Sequence, residues 1–135
     1  MGAYRDHLVE VSKDVLRYIK SLKEMSYEES KLIEKYLKDL DVAQVFEKTI
    51  DSNNQQVFIP KTYKYRNMYY SVAIPSLRCR YDRDNCILYK KMKLSDMCDD
   101  LLLTSSLEGI IIDPKGINLV VDRDVVMEIY SNMYL

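Results

Sequence analysis

The sequence predicts an α+β fold with an N-terminal helical hairpin, a mostly antiparallel sheet of about five strands and one or two C-terminal helices. Three observations support this class. Apolar residues recur at helical spacing in the first part of the chain, they alternate with a period of two after residue 56, and 47% hydrophobic content in 135 residues suffices for one core. We therefore predict a single domain over residues 1–135, with the helical hairpin in 1–50 and the strand-rich part in 56–135.

The first predicted helix covers residues 4–24, where apolar side chains recur every three or four positions. Ser26 and Glu29 fit a capping box, so a second helix begins there and packs against the first as an antiparallel hairpin. Four apolar residues at helical spacing then predict one or two further helical turns: Val42, Val45, Phe46 and Ile50. A polar linker follows over residues 51–56.

Three segments in the middle of the chain are rich in β-forming residues: 57–62, 68–74 and 86–91. Arg66 and Asn67 mark a turn between the first two segments, and Pro75 ends the second or keeps it at a sheet edge. A short helix capped by Ser95 and ending at Leu103 is expected after the third segment.

Two strand-forming runs near the end of the chain flank Asp113-Pro114-Lys115-Gly116. Proline presets φ for the first central position of a turn, and glycine allows the chain to leave the turn with positive φ. We therefore predict strand, turn and strand, with Asp113, Pro114 and Gly116 as structural turn residues. Asp122 then caps a closing helix.

This order of a short helix, a strand beginning at Gly109, the turn, a second strand and a helix over residues 94–129 resembles the last part of the SseB N-terminal domain family. Residues 56–60 and 68–76 match that family's earlier strands loosely, and residues 1–50 show no match. The chain departs from the family at Asp113, where the family has Asn, and at Ile74-Pro75-Ser76, where it has an aromatic-Thr-Ser element. The resemblance implies an α+β fold without a defined biochemical role and gives no catalytic residue to carry over.

Charge is unevenly distributed along the chain, which has 20 basic and 21 acidic residues. The net charge is −2 over residues 1–60, +7 over 61–93 and −6 over 94–135. The near-neutral total does not favour nucleic acid or an anionic membrane surface. No window approaches the roughly 18–20 apolar residues of a membrane span, and the charged N-terminus does not resemble a signal peptide. We therefore expect a soluble, cytoplasmic protein with no membrane partner.

Few residues suit catalysis or metal binding. His7 is the only histidine, and Cys79, Cys86 and Cys98 lack both the C-x-x-C spacing and the histidine partners typical of zinc sites. We predict no enzymatic activity, no metal, no cofactor and three free thiols. A bridge between Cys79 and Cys86 is the alternative if residues 77–81 pair with 86–90 as a hairpin.

Residues 61–93 combine basic and tyrosine side chains. On strands, Tyr63, Tyr65 and Tyr69 would form an aromatic row beside a cationic rim, a surface able to stack bases or bind phosphates. The same composition also suits exposed strands that bind nothing. The candidate binding residues are Lys64, Tyr65, Arg66, Tyr69, Arg78, Arg80 and Arg83.

We therefore predict a small interaction or regulatory protein, of an accessory or immunity type, that binds another protein. The contact surface is the tyrosine- and arginine-rich sheet or the helical hairpin. The alternative is a nucleic-acid-binding protein that uses the same basic stretch, which a steep salt dependence of affinity would indicate. The sequence specifies neither the partner nor the oligomeric state.

Overall fold

The computed structural model describes residues 2–77, 79–104 and 106–132. Its four helices are α1 (Gly2–Ser21), α2 (Tyr27–Asp39), α3 (Leu94–Leu102) and α4 (Arg123–Asn132). The first four strands are β1 (Asp41–Ile50), β2 (Gln56–Pro60), β3 (Thr62–Tyr65) and β4 (Met68–Pro75). The remaining strands are β5 (Arg80–Asp82), β6 (Ile87–Lys93), β7 (Gly109–Ile112) and β8 (Leu119–Asp122).

The predicted start of α2 is confirmed, because the Ser26 hydroxyl accepts a hydrogen bond from the Glu29 N–H at 3.1 Å. Leu16 of α1 is fully buried in the same cluster as Leu37 and Leu40. None of the described helices is both long and apolar enough to cross a membrane.

The two later helices agree with the predicted number. The prediction that Ser95 caps α3 is wrong, because the helix already begins at Leu94 and Ser95 is buried within it. The Asp96 carboxylate instead accepts the Lys93 N–H at 3.2 Å and so satisfies a backbone donor that the first turn leaves free.

The prediction of helical turns in residues 41–50 is also wrong, because these residues form β1 and the second helix ends at Asp39. Four consecutive residues, Val42 to Val45, are buried, with Val42 in the cluster under the helices and Val45 in the cluster on the opposite face. Apolar residues at helical spacing also occur in such a run, and pairing with distant strands decides between the two structures. β1 has β6 on one side and β2 and β4 on the other.

All eight described strands belong to one sheet, in the order β5-β6-β1-β4-β7-β8, with β2 added to β1 and β3 added to β4. The sheet is mostly antiparallel as predicted, with one parallel pair between β4 and β7. The predicted number of strands was too low because β1 was assigned to a helix and because β3 and β5 are short.

β1 and β4 pair directly only at one end, where Val42 to Gln44 lie opposite Ala73 to Pro75. Beyond that end, β2 pairs with β1 and β3 pairs with β4. Lys61 is the branch point, because its N–H donates to the Val45 carbonyl at 2.8 Å and its carbonyl accepts the Val72 N–H at 3.3 Å. We call β2 and β3, which separate from each other at Lys61, the fork.

β7 and β8 form the predicted antiparallel pair, but the turn between them differs from the prediction. Positive φ occurs at Asp113 (54°) and Asn118 (57°), and no glycine among the described residues has positive φ. The prediction for Gly116 is therefore wrong. The Asp113 carbonyl accepts the Gly116 and Asn118 N–H groups at 3.0 and 2.7 Å. Asp113 itself has the left-handed conformation, which aspartate tolerates better than most residues. The loop between β7 and β8 has six residues, 113–118.

Candidate functional site

The two faces of the sheet are covered differently. On one face, all four helices contribute to a single buried cluster. The opposite face, which we call the open face, has a separate cluster without any residue from the described helices, made of Val45, Tyr70, Val72, Ile87 and Ile111. Large apolar side chains therefore form part of a sheet face that no described helix covers.

A cavity of about 190 Å³ lies on the open face where β1, β3, β4 and β6 approach the loop 113–118. Its apolar lining consists of Val45, Val72, Ile74 and Pro114. Its polar lining consists of Lys61, Tyr63, Tyr89, Asp113 and Lys115. The cavity is smaller than the roughly 300 Å³ at which small-molecule sites begin, so it suits a single apolar side chain of a larger partner.

The two lysines of the cavity lining, Lys61 and Lys115, form no salt bridge within the described part of the chain. Arg66, Arg80 and Lys91 also form none there, although the charge of Arg80 contributes to the lowered pKa of Asp82. Two cations of α1 are paired: Lys13 with Glu10 at 3.5 Å and Arg17 with Asp14 at 3.0 Å. The open face therefore carries several cations that no salt bridge between described residues neutralises.

Three carboxylates near the open face accept hydrogen bonds from donors within the chain. The Asp113 carboxylate accepts the Ile117 N–H at 3.0 Å, and the Asp122 carboxylate accepts the Tyr70 hydroxyl at 3.3 Å. Asp82 accepts both the side-chain amide of Asn85 at 2.9 Å and its N–H at 3.3 Å. These hydrogen bonds from Asn85 lower the pKa of Asp82.

Two arginines lie over tyrosine rings. The guanidinium of Arg80 is 4.7 Å from the centre of the Tyr89 ring, and that of Arg66 is 5.1 Å from the centre of the Tyr65 ring. Such contacts contribute about 0.5–1 kcal/mol at exposed positions. Because a guanidinium already lies over each ring, that ring face is not free to stack a base.

The structure divides the predicted binding residues between two hairpins. Lys64 and Tyr69 are cross-strand partners on β3 and β4, and Arg66 lies in the turn that joins these strands. Arg80 lies opposite Tyr89 on β5 and β6, and Arg83 is exposed in the turn between them. Arg78 lies outside the described residues.

The same residues are also divided between the two faces. Alternation along β3 and β4 puts Tyr63, Tyr65 and Tyr70 on the open face, and Lys64 and Tyr69 on the other. The predicted row of Tyr63, Tyr65 and Tyr69 therefore does not form. Tyr70 takes the expected place of Tyr69, with its ring centre 6.3 Å from that of Tyr65. Arg80 is on the open face through its partner Tyr89, and Arg66 is close to it through Tyr65.

Tyr70 is a buried member of the open-face cluster rather than a free aromatic surface. Its burial raises the pKa of its phenol, and the neighbouring Asp122 carboxylate raises this pKa further. The hydroxyl is therefore held protonated as a donor to Asp122, which makes Tyr70 a structural residue.

Lys115 belongs to the cavity although the sequence indicated only a turn at this position. β7 lies beside β4 in parallel, with Ile112 opposite Ala73, so the loop that follows β7 reaches the cavity. β5, β6 and α3 lie between β4 and β7 in the sequence. A parallel pair with so long a connection leaves no local signal in the sequence.

A second cavity, of about 520 Å³, lies between α1 and α2 on the opposite side of the sheet. Its apolar lining includes Leu8, Val11 and Leu32, which are 38%, 46% and 69% exposed. Apolar side chains of both helices therefore stay accessible at this cavity. This cavity is a second candidate binding surface, in addition to the open face.

The three cysteines are free, with Cys79 and Cys86 exposed and Cys98 buried. The alternative of a bridge is excluded by the register, because β5 residues 80–82 pair with 87–89 and Cys79 therefore does not face Cys86. Burial raises the pKa of the Cys98 thiol to about 12. Across the described ranges, no three His, Cys, Asp or Glu side chains lie together as ligands for a metal ion would.

No protein-family model matches this chain, and no curated protein or solved structure is significantly similar to it. The resemblance to the SseB N-terminal domain stays a prediction.

Proposed function

We propose that this chain is a non-enzymatic binding protein whose open face accepts an acidic segment of another protein. One apolar side chain of that segment occupies the cavity lined by Val45, Val72 and Ile74. The observation that carries the proposal is the apolar cavity bordered by cations without acidic partners, Lys61 and Lys115, with Arg80 beside it on Tyr89. A buried anchor supplies affinity, and a basic rim supplies orientation and a high association rate.

Single-stranded nucleic acid is the second candidate, because Tyr63 is 36% exposed beside Lys61 and Lys115. Two features favour a protein partner instead. The rings of Tyr65 and Tyr89 each have a guanidinium over them, and the small apolar cavity matches a side chain better than a base.

Two exposed cysteines in this chain, Cys79 and Cys86, also support a cytoplasmic location for the interaction. Exposed thiols persist in reducing compartments and tend to oxidise outside them.

The proposal is tested by selecting binders from a library of random 12-residue phage-displayed peptides and synthesising the most enriched sequence. We expect enrichment of Asp or Glu around one large apolar residue. The double variant Arg80→Ala/Lys115→Ala should weaken the peptide by about five- to thirtyfold, since each charge contributes about 0.5–1 kcal/mol. Fluorescence anisotropy of the labelled peptide measures this change.

The matched control is Lys13→Ala/Arg17→Ala, which removes the same net charge from α1, where both cations are already paired. It should change the affinity less than twofold, an expectation based on the small effect of exposed charges. If Leu8→Asp/Leu32→Asp abolishes binding while the Arg80/Lys115 variant does not, the helical cavity is the site and the proposal is wrong. Tighter binding of an oligothymidine, with a steep salt slope that the Arg80/Lys115 variant reduces, would favour the second candidate.

A further inference from the structure

We infer that the partner segment binds as an extended strand in the fork and adds its backbone to the free edges of β2 and β3. This inference rests on the proposed function and specifies how the acidic segment is held. Its physical basis is a set of unused backbone hydrogen-bonding groups, flanked by exposed apolar side chains and by cations.

The register identifies the free backbone groups. The bonds made by Lys61 show that odd-numbered residues of β2 face β1 and odd-numbered residues of β3 face β4. The N–H and C=O groups of Phe58, Thr62 and Lys64 therefore point into the fork. Within the described part of the chain, β2 pairs only with β1 and β3 only with β4, so no strand occupies these edges.

Exposed apolar side chains concentrate around these edges. They lie on both sides of the sheet at the ends of β1, β2, β3 and β4, with exposed fractions between 36% and 62%. They are Ile50, Phe58, Ile59, Tyr63, Met68 and Tyr69. An added strand directs alternate side chains to opposite faces, so it would contact this apolar surface on both sides of the fork.

Charge selects an acidic segment over a second copy of this chain. Residues 46–71 contain four basic side chains, Lys48, Lys61, Lys64 and Arg66, and two acidic ones, Glu47 and Asp51. The Asp51 carboxylate is already engaged by the Asn53 and Gln55 N–H groups, both at 2.9 Å. Pairing of two copies through these edges would bring their lysines together, which opposes self-association. An acidic strand would instead neutralise these lysines.

Amide hydrogen exchange with the selected 12-residue peptide tests the mode of binding directly. At saturation, exchange of the Phe58 and Lys64 amides should slow on the order of tenfold or more, because they gain acceptors from the peptide. The Ile59 and Tyr63 amides, which already face β1 and β4, are the internal control and should change less than about twofold.

A proline variant tests the same backbone donor by affinity. Phe58→Pro removes the ring and the outward N–H without removing a bond to β1, whereas Phe58→Ala removes the ring alone. We expect Phe58→Pro to weaken the peptide at least about fivefold more than Phe58→Ala, consistent with a hydrogen bond of about 1 kcal/mol. If Phe58→Pro does not fold, two N-methylated versions of the peptide are tested against the wild-type protein instead. One version is methylated at odd-numbered peptide residues and the other at even-numbered ones. Only the version whose methyl groups replace the N–H groups that face the fork should lose binding.

The outcomes separate this inference from the proposed function. A peptide that depends on Arg80 and Lys115 but leaves exchange at Phe58 and Lys64 unchanged would overturn strand addition and leave the proposed function standing. A peptide that protects Phe58 and Lys64 but is insensitive to the Arg80/Lys115 variant would support the fork and overturn the open-face cavity. Failure to select any acidic peptide would overturn both.

Discussion

Adding a methyl group at Gly116 should destabilise the loop 113–118 through a contact rather than through backbone strain. Gly116 has no positive φ, so its backbone conformation is open to alanine. A Cβ at this position would overlap the Asp113 carboxylate, whose Cγ and Oδ1 lie 2.9 and 3.0 Å from the ideal Cβ position. The carboxylate would have to move away from the Ile117 N–H, to which it is bonded at 3.0 Å.

The magnitude follows from two opposing effects. A hydrogen bond to a charged acceptor contributes about 1.5–3 kcal/mol, and part of it is recovered by water because the loop is near the surface. Replacing glycine by alanine stabilises the folded state by about 0.4–1 kcal/mol through the unfolded chain. We therefore expect Gly116→Ala to lower the free energy of unfolding by about 1–2 kcal/mol, which is roughly 3–8 °C in Tm for this chain length.

A double-mutant cycle with Asp113→Gly separates the two explanations. Glycine at 113 accommodates the φ of 54° and removes the carboxylate. In this background Gly116→Ala should be neutral or stabilising by up to about 1 kcal/mol, because only the unfolded-state effect remains. Urea unfolding of the four proteins measures the coupling. An equal cost of Gly116→Ala in both backgrounds would refute the contact with Asp113.

Two predictions concern the cysteines. In the native protein a thiol reagent should modify Cys79 and Cys86 rapidly, because both are exposed. Cys98 should react only after unfolding, because it is buried with a pKa of about 12. Rapid reaction of all three thiols in the native state would contradict the burial of Cys98. Because the pKa of Cys98 is raised on folding, its protonated state contributes stability that is present below about pH 9 and is lost as the pH rises toward 12. The free energy of unfolding of Cys98→Ala should therefore fall less steeply between pH 9 and 11 than that of wild type, by up to about 1.4 kcal/mol per pH unit. Cys79→Ser is the control, and its free energy of unfolding should fall with pH as steeply as that of wild type. Equal pH dependence in all three proteins would show that the pKa of Cys98 is not raised on folding.

Local patterns predicted the elements whose signals lie within a few residues. The Ser26 cap, the Arg66–Asn67 turn with φ of 52° and 65°, and the strand pair around Asp113 and Pro114 were all predictable from neighbouring residues. Patterns of this kind succeed because caps and turns satisfy their hydrogen bonds locally. They fail where two local structures share one pattern, as at Val42 to Val45, whose burial in β1 depends on strand partners 29 to 50 residues away.

The candidate site follows the same division. Composition alone identified residues 61–93 as basic and rich in tyrosine, but the strand register decided that Tyr65 and Arg80 belong to the open face and that Lys64 and Tyr69 do not. Lys115 joins the cavity only through the parallel pairing of β7 with β4. A shift of register by one residue would exchange the faces of every side chain on a strand, so this assignment could not be made from the residues of one strand alone.

The sequence by itself determined the α+β class, the helical start of the chain, the uneven charge and the position of the last strand pair. Only the tertiary structure decided that all four helices cover one face, that β2 and β3 separate at Lys61, and that Lys61 and Lys115 border an apolar cavity. The physical reason is range: hydrophobic periodicity and capping act over one or two turns of chain, whereas strand order and the choice of face are set by contacts between distant segments.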